Sequence, residues 1–214
     1  MRVPDGWITL TLGEMTSKIG SGSTPRGGEK VYVSSGIPLI RSMNVHFEGF
    51  KYDGLAFLRE ADAEKLKNVE VLPNDVLLNI TGASIGRTTL APEEMKGARV
   101  NQHVAIIRLV QPINPGFVRY FLSTPFLQDL ISETESGVTR QALTKTKIEN
   151  FAIPLPPVEE QERIARKLDF LIDSINSCRA RIEYIPFLLK SLRESVLQDA
   201  VNGIPPLKRL DTPK

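Results

Sequence analysis

The chain of 214 residues is poor in the residues on which several kinds of protein chemistry depend. Its one cysteine excludes an internal disulfide and fits a reducing compartment, and its two histidines add too few ligands for a four-ligand zinc site. No stretch approaches the roughly 18 apolar residues that a membrane-spanning helix needs. Residues 1–6 also lack the apolar run of a signal peptide. We therefore expect a cytoplasmic protein that does not contact membranes.

An excess of charge of one sign is also absent. The formal net charge is +2, with 17 basic and 16 acidic side chains in residues 1–157 and with 10 and 9 in residues 158–214. A protein that binds nucleic acid through its overall charge is usually strongly basic. Any DNA binding must therefore come from local clusters of basic side chains or from a more basic partner.

Signatures of catalysis are missing as well. Residues 82–88 resemble a phosphate-binding loop, but the loop is one residue short and has Arg87 where the lysine should stand. Methyltransferase, ATPase and serine-hydrolase motifs do not occur. Asp75 and Glu94 could form the carboxylate pair of a nuclease, although such pairs arise often by chance. We expect a protein without catalytic residues, bound metal or cofactor.

What the chain does contain is a long helical pattern between Pro154 and Val201. Its apolar residues recur at alternating spacings of four and three, which is the seam of a coiled coil. The seam positions are Ile164, Leu168, Leu171, Ile175, Cys178, Ile182, Ile185, Leu189, Leu192 and Val196. Pro156 and Pro157 mark the start, and Asn202 with Gly203 marks the end. Pro186 predicts a kink in one helix rather than a hairpin, because no Gly or Asn stands nearby.

The predicted seam needs a second helix to cover it. The chain offers no other helix of comparable length, so we expect the partner to be another chain and the seam to be a dimer interface. Phe170, Phe187 and Leu197 lie off the seam. They could pack on the chain's own globular part or dock another subunit, since exposed apolar clusters mark contacts without naming them.

The remaining sequence predicts a strand-rich α+β domain over residues 1–157. It is followed by a coiled-coil-forming helix over residues 158–203 and a tail over residues 204–214. Predicted strands cover 7–12, 69–72, 75–80, 88–90, 104–110 and 147–155, and residues 37–45 read as a short strand that runs into a polar turn. Predicted helices cover 60–67, 116–122 and 126–131, and residues 20–28 read as a loop.

Short motifs along the whole chain occur in a recognisable order. They are Pro4-Asp5-Gly6-Trp7, Gly22-Ser23-Thr24-Pro25, Gly36-Ile37-Pro38-Leu39-Ile40-Arg41, Thr81-Gly82-Ala83-Ser84-Ile85-Gly86, Gly137-Val138-Thr139-Arg140-Gln141 and Ile153-Pro154-Leu155-Pro156-Pro157 with Glu160-Gln161. In this order they resemble the specificity subunit of type I restriction-modification systems. The resemblance covers one half of such a subunit nearly end to end.

The resemblance implies a target recognition domain that binds double-stranded DNA, followed by a spacer helix. A full specificity subunit carries two such units, whose helices pair antiparallel. Modification subunits dock on it, and restriction and translocase subunits join indirectly, so S-adenosylmethionine and ATP are expected on those partners. The chain then acts as a half-subunit that forms an antiparallel homodimer, or it is part of a longer subunit. Both alternatives remain open at this point.

The resemblance does not say which residues contact DNA, so the candidates come from side-chain chemistry in the polar loops. Arginine can form two hydrogen bonds to guanine or to a phosphate, and Asn and Gln can form two to adenine. Lysine suits phosphate. The candidates are Thr24, Arg26, Arg41, Asn44, Arg87, Gln102, Arg140, Gln141, Lys145 and Lys147. For each arginine, a solvated or ion-paired surface position is the alternative. For the whole chain, the alternative is a coiled-coil scaffold that binds only protein.

Overall fold

The computed structural model describes residues 4–24, 27–133 and 142–202. These ranges form a mixed α+β fold with a strand-rich N-terminal part and one long C-terminal helix. The strands are β1 (Ile8–Thr11), β2 (Thr16–Ser21), β3 (Ile37–Ile40), β4 (Val45–His46), β5 (Gly49–Phe50), β6 (Ala56–Leu58), β7 (Val76–Asn79), β8 (Thr88–Leu90), β9 (Arg99–Val100), β10 (Val104–Leu109) and β11 (Ala152–Leu155). The helices are α1 (Glu60–Glu64), α2 (Pro115–Leu122), α3 (Pro125–Glu133), α4 (Lys145–Glu149) and α5 (Val158–Val201).

A four-stranded antiparallel sheet with the order β2-β10-β7-β8 forms the centre of the domain. Its inner strand β10 alternates between two hydrophobic cores, because successive side chains of a strand point to opposite faces. Ala105 and Ile107 belong to the core that also contains α2 and α3 residues. Val104 and Ile106 belong to the core shared with the second sheet. The sheet is thus covered by apolar packing on both faces.

The second sheet has the order β6-β3-β9, with β3 antiparallel to β6 and parallel to β9. A short hairpin of β4 and β5 follows the 3-10 turn Ser42–Asn44. Strands β1 and β11 form a separate antiparallel pair, in which Ile8 lies opposite Leu155. This last pair brings the N-terminal strand beside the segment from which α5 starts.

Helix α5 begins directly after Pro156 and Pro157 and continues without interruption through Pro186. This confirms one helix in place of a hairpin. The chain divides into two compact units, Met1–Leu168 and Asp169–Lys214, and the division falls inside α5. Residues 158–168 belong to the first unit because Ile164 packs on its core and Ala165 is buried. The sequence had placed the boundary at residue 157.

Most predicted elements are present, and three predictions need correction. Residues 69–72 are not a strand: Lys67–Val69 is a 3-10 turn, and Glu70 makes only an isolated bridge to Arg99. The predicted strand 147–155 begins as helix α4, because the Thr144 hydroxyl accepts the Lys147 N–H and starts a helical turn. The predicted loop 20–28 starts inside β2, which ends at Ser21.

Candidate nucleic-acid interface

A polar cleft opens on the domain where three loops meet. Its volume is about 510 Å³. The walls come from the turn after β3, from the loop between β7 and β8, and from the residue that precedes β10. The lining residues are Ser42, Met43, Thr81, Gly82, Ala83, Ser84, Arg87 and His103.

Asn79, at the end of β7, ties two walls of the cleft together. Its fully buried side-chain amide donates to the Ser42 carbonyl at 2.9 Å and to the Ser84 hydroxyl at 3.1 Å. Gly86 closes the loop with φ of 83°, a conformation that suits glycine. The Gln128 amide on α3 then donates to the Gly86 carbonyl at 3.1 Å. The loop that carries Arg87 is therefore held on both sides.

A chain of hydrogen bonds runs along one edge of the cleft. The Thr24 hydroxyl donates to Gln102 Oε1, and Gln102 Nε2 lies 3.1 Å from His103 Nε2. His103 Nδ1 in turn lies 2.5 Å from the Thr81 hydroxyl. Because the amide donates to Nε2, a neutral imidazole carries its hydrogen on Nδ1 and donates it to Thr81. This relay, Thr24–Gln102–His103–Thr81, fixes the exposed Gln102 amide relative to the cleft.

Gly22 makes the relay possible. A Cβ at this position would stand 1.6 Å from the Val100 carbonyl oxygen, so the two backbone segments approach as only glycine permits. The Gly22 N–H donates to the Asn101 carbonyl at 3.2 Å. The close approach places Thr24 beside Gln102.

Arg87 lines the cleft and, within the described ranges, its guanidinium has no hydrogen-bond or ion-pair partner. Helix α4 lies next to the same loop, since the Leu143 N–H donates to the Ile80 carbonyl at 2.9 Å. Its Lys145 forms an exposed ion pair with Glu149 at 3.6 Å, and Lys147 is half-buried. The structure thus brings Thr24, Arg87 and Gln102 to one surface, with the two lysines on the neighbouring helix.

Two other predicted DNA contacts are engaged elsewhere. Asn44 is fully buried: its Oδ1 accepts the Arg41 N–H at 2.9 Å and its Nδ2 donates to the Lys51 and Asp53 carbonyls. Asn44 therefore shapes its loop and offers no amide to a base, which corrects the sequence interpretation. Arg41 pairs with Glu29 at 3.2 Å and donates to the Gly54 carbonyl. This is the ion-paired alternative that the sequence left open.

Three further candidates, Arg26, Arg140 and Gln141, lie outside the described residues. Sequence reasoning missed His103, Ser42 and Met43. It had considered His103 only as a metal ligand, although the polar run Asn101-Gln102-His103 directly before a buried strand is a signal for a surface loop. Met43, which is 48% exposed and also lines the cleft, carried no such signal.

The suspected nuclease carboxylates have separate structural partners. Asp75, 2% exposed, accepts both Nε and Nη2 of Arg108 at 2.8 and 2.7 Å, as well as the Leu72 N–H. This hydrogen bonding raises the pKa of the Arg108 guanidinium above its usual range. Glu94 instead hydrogen-bonds Tyr52, where burial and the carboxylate raise the phenol pKa. Within the described ranges, no group of His, Cys, Asp and Glu is placed to hold a metal.

The predicted seam on α5 divides at residue 168. Ile164 and Leu168 are half-buried on the first unit, whereas the later apolar positions from Leu171 onward are exposed, for example Ile182 at 64% and Leu192 at 61%. Cys178 is likewise exposed, with a free thiol. No helix in the described part of the chain combines the length and apolarity that a bilayer crossing requires.

Residues 4–185 match the family described as the type I restriction modification DNA specificity domain, and the chain belongs to this family. This membership agrees with the resemblance that its motifs showed.

Two specificity subunits are similar in sequence to this chain over nearly its whole length. The chain is 27% identical over 214 residues to the type I restriction enzyme EcoKI specificity subunit of Escherichia coli strain K12, covering 94% of this chain and 44% of that protein. It is 26% identical over 209 residues to the StySPI specificity subunit of Salmonella potsdam, with the same two shares. The chain therefore spans less than half the length of these relatives.

Solved structures show the same fold. The HsdS subunit of Thermoanaerobacter tengcongensis superposes with a TM-score of 0.66 at 22% identity, over 95% of this chain and 47% of that one. A chain from a structure that describes assembly and conformational transition of the type I restriction-modification system gives a TM-score of 0.68 at 24% identity, over 94% and 47%.

Proposed function

We propose that this chain is the DNA recognition subunit of a type I restriction-modification system. It gives target specificity to modification and restriction subunits and performs no chemistry itself. The observation that carries the proposal is the cleft, which is lined by Arg87, a guanidinium without a partner among the described residues, and by His103, to which the Gln102 amide is hydrogen-bonded. Family membership supports the same function.

The cleft offers the groups that read base edges. The Arg87 guanidinium can donate two hydrogen bonds to guanine O6 and N7, or it can bind a phosphate. Gln102 uses one lone pair of Oε1 and one hydrogen of Nε2 within the relay. One lone pair and one hydrogen remain, which are the acceptor and donor that adenine N6 and N7 require. Lys145 and Lys147 lie on α4, which follows the segment hydrogen-bonded to Ile80 at the end of β7, and their ammonium groups suit phosphates.

Catalysis then belongs to the partners. In the relay His103 donates to the Thr81 hydroxyl, so among the residues that line the cleft it does not act as a base toward that hydroxyl. Modification subunits would bind S-adenosylmethionine and methylate adenine, and restriction subunits would use ATP. The balanced charge of this chain fits an assembly in which partner subunits supply much of the electrostatic contact with DNA.

The proposal includes a second copy of the chain. A second copy carries the same apolar seam, so the α5 helices of two copies would cover each other. The exposed seam of α5 provides the surface through which they would pair. An antiparallel pair places one recognition domain at each end.

The proposal is tested by replacing Arg87 with alanine in the complex reconstituted from the full chain and its modification subunits. Loss of a guanidinium from a base edge weakens binding by about 1–3 kcal/mol, roughly ten-fold or more, with no change in urea unfolding. Fluorescence anisotropy at fixed salt on a methylatable duplex measures the affinity.

Arg59→Ala serves as the matched control, because Arg59 is exposed and does not line the cleft. We expect it to bind DNA as the wild type does. Equal affinity in both variants would move the recognition surface away from the cleft. A reconstituted complex whose methylation shows no sequence preference would instead favour a scaffold that binds only protein.

A further inference from the structure

Met43 is the one long apolar side chain among the described residues that line the cleft, and it is 48% exposed. The other lining residues have small or polar side chains: Ser42, Thr81, Gly82, Ala83, Ser84, Arg87 and His103. A single exposed apolar side chain is common on protein surfaces and needs no partner by itself. What distinguishes Met43 is that the surrounding structure fixes its position in the cleft.

The 3-10 turn that carries Met43 is hydrogen-bonded at each of its three residues. The Ser42 carbonyl accepts the buried Asn79 amide at 2.9 Å. The Met43 carbonyl accepts a hydrogen bond from His46 Nε2 at 3.0 Å. Asn44 is fully buried, and its side-chain amide donates to two carbonyls of the segment between β5 and β6. The backbone that carries Met43 is therefore held in place.

The tip of the Met43 side chain lies against Gly54. A Cβ at Gly54 would stand 2.6 Å from Met43 Cε and 3.3 Å from its Sδ, so the absent side chain leaves the space that the methyl group occupies. Gly54 has a φ of 69°, a conformation that suits glycine. The Arg41 guanidinium donates to the Gly54 carbonyl and pairs with Glu29, which holds this segment. The Met43 tip thus has a defined place, although the residue remains open to a ligand.

DNA in the cleft would present one kind of apolar group to Met43. The hydrogen bonds proposed for Arg87 and Gln102 go to guanine O6 and N7 and to adenine N6 and N7, which are atoms of the major groove. The C5-methyl group of thymine projects into the same groove, where apolar side chains contact it. A methionine side chain is flexible and polarisable, so it can pack closely around a methyl group.

We propose that Met43 reads the C5-methyl group of one thymine in the DNA target. The inference rests on the proposed function of the chain in DNA recognition and adds a specificity-determining residue to it. When DNA enters the cleft, the thioether packs on the methyl group, and water leaves both apolar surfaces. Deoxyuridine lacks this methyl group but keeps the O4 acceptor of thymine. It therefore isolates the methyl contact from the hydrogen bonds.

Replacement of thymine by deoxyuridine tests the contact. The complex is reconstituted from the full chain and its modification subunits, and the duplex carries the motif defined by sequencing of methylated adenines. Such a motif contains thymine, because each methylated adenine pairs with one. Each thymine is replaced in turn, and fluorescence anisotropy at fixed salt gives the affinity. We expect one position at which deoxyuridine weakens wild-type binding about four-fold, the factor that burial of one methyl group provides.

Variants at Met43 assign that loss to its side chain. Met43→Ala should bind the thymine and deoxyuridine duplexes equally. Met43→Leu keeps an apolar side chain of similar volume and should preserve most of the difference. Leu130→Ala is the matched control, since Leu130 is 38% exposed on α3 and does not line the cleft, and it should behave as the wild type.

A glycine substitution tests whether Gly54 positions Met43. In Gly54→Ala the new Cβ should push the Met43 tip aside and reduce the preference for thymine over deoxyuridine. Gly97→Ala is the control, because Gly97 has a φ of 82° but nothing within 4 Å of a Cβ. It adds similar backbone strain without moving Met43. A full thymine preference in Gly54→Ala would overturn this positioning.

Other outcomes separate this inference from the proposed function. If the wild type binds every thymine and deoxyuridine duplex equally while Arg87→Ala still binds weakly, the methyl contact is overturned and DNA recognition stands. A deoxyuridine effect that persists in Met43→Ala assigns the methyl group to another residue and overturns the inference. Weaker binding of all duplexes by Met43→Ala, with an unchanged thymine preference, indicates a side chain inserted between bases and also overturns it. A complex without any sequence preference would contradict the proposed function and this inference with it.

Discussion

At the scale of single residues, the proposed recognition surface depends on side chains that need not touch DNA. Gln102 could present its amide in many orientations, but Thr24 and His103 hold both ends of it. Because Gly22 has no side chain, its backbone can lie against Val100, and Thr24 comes within hydrogen-bonding distance of Gln102. Preorganisation of this kind lowers the entropy lost on binding.

We predict that Gly22→Ala weakens DNA binding and lowers the stability of the full chain. The new Cβ would overlap the Val100 carbonyl, so the backbone must separate and the Thr24–Gln102 hydrogen bond is lost. Overpacking of this kind costs about 1–3 kcal/mol, which urea unfolding would measure. Gly20→Ala is the control, because nothing lies within 4 Å of a Cβ there. Equal unfolding midpoints for the two variants would refute the close-packing argument.

At the scale of elements, the first turns of α5 act as part of the globular unit. Gln161 is 1% exposed, accepts the Asn114 N–H at 2.9 Å and donates to the Pro156 carbonyl at 2.9 Å. Asn114 is the N-cap of α2, where its side chain accepts the Phe117 N–H. One amide thus joins the start of α5 to the start of α2.

We expect Gln161→Ala to destabilise the chain by about 1–3 kcal/mol, since it leaves a buried N–H and a buried carbonyl without partners. The loss should appear as a lower urea midpoint with an unchanged slope. Lys167→Ala, on the exposed face of the same helix, should change the midpoint by less than about 0.5 kcal/mol. A Gln161→Ala chain as stable as the Lys167→Ala chain would show that the junction does not depend on this amide.

The elements that the sequence predicted are those with a strong local signal. Helix α5 follows from its apolar spacing, α2 from Asn114-Pro115, and β10 from its unbroken apolar run. The missed elements depend on distant partners. β2 alternates weakly and is held by its register against β10, and β9 consists of two residues that pair with β3.

For the candidate site too, the sequence predicted the position of some residues and not of others. Arg87 and Gln102 stand in loops whose composition signals exposure. Asn44 stands in a similar loop, yet the fold turns it inward to satisfy the carbonyls of Lys51 and Asp53. Pairing of Asp75 with Arg108 across 33 residues could not be inferred from spacing, and it removes the suspected nuclease pair.

At the scale of the whole molecule, the proposed pair of identical recognition domains would impose symmetry on the target. Two copies that pair through one patch form a two-fold dimer. Each copy would present the same cleft to its own half-site, so the two half-sites would be the same sequence on opposite strands. The bases between them would be spanned by the helices and not read.

Sequencing of methylated adenines tests the central claim most directly. The full chain is reconstituted with its modification subunits, the complex methylates unmodified genomic DNA, and the methylated positions define the motif. We predict a bipartite palindrome with an unread centre of fixed length, and an Arg87→Ala complex should lose or relax that motif. An asymmetric bipartite motif would contradict recognition by two identical copies, and methylation without any motif would contradict DNA recognition by this chain.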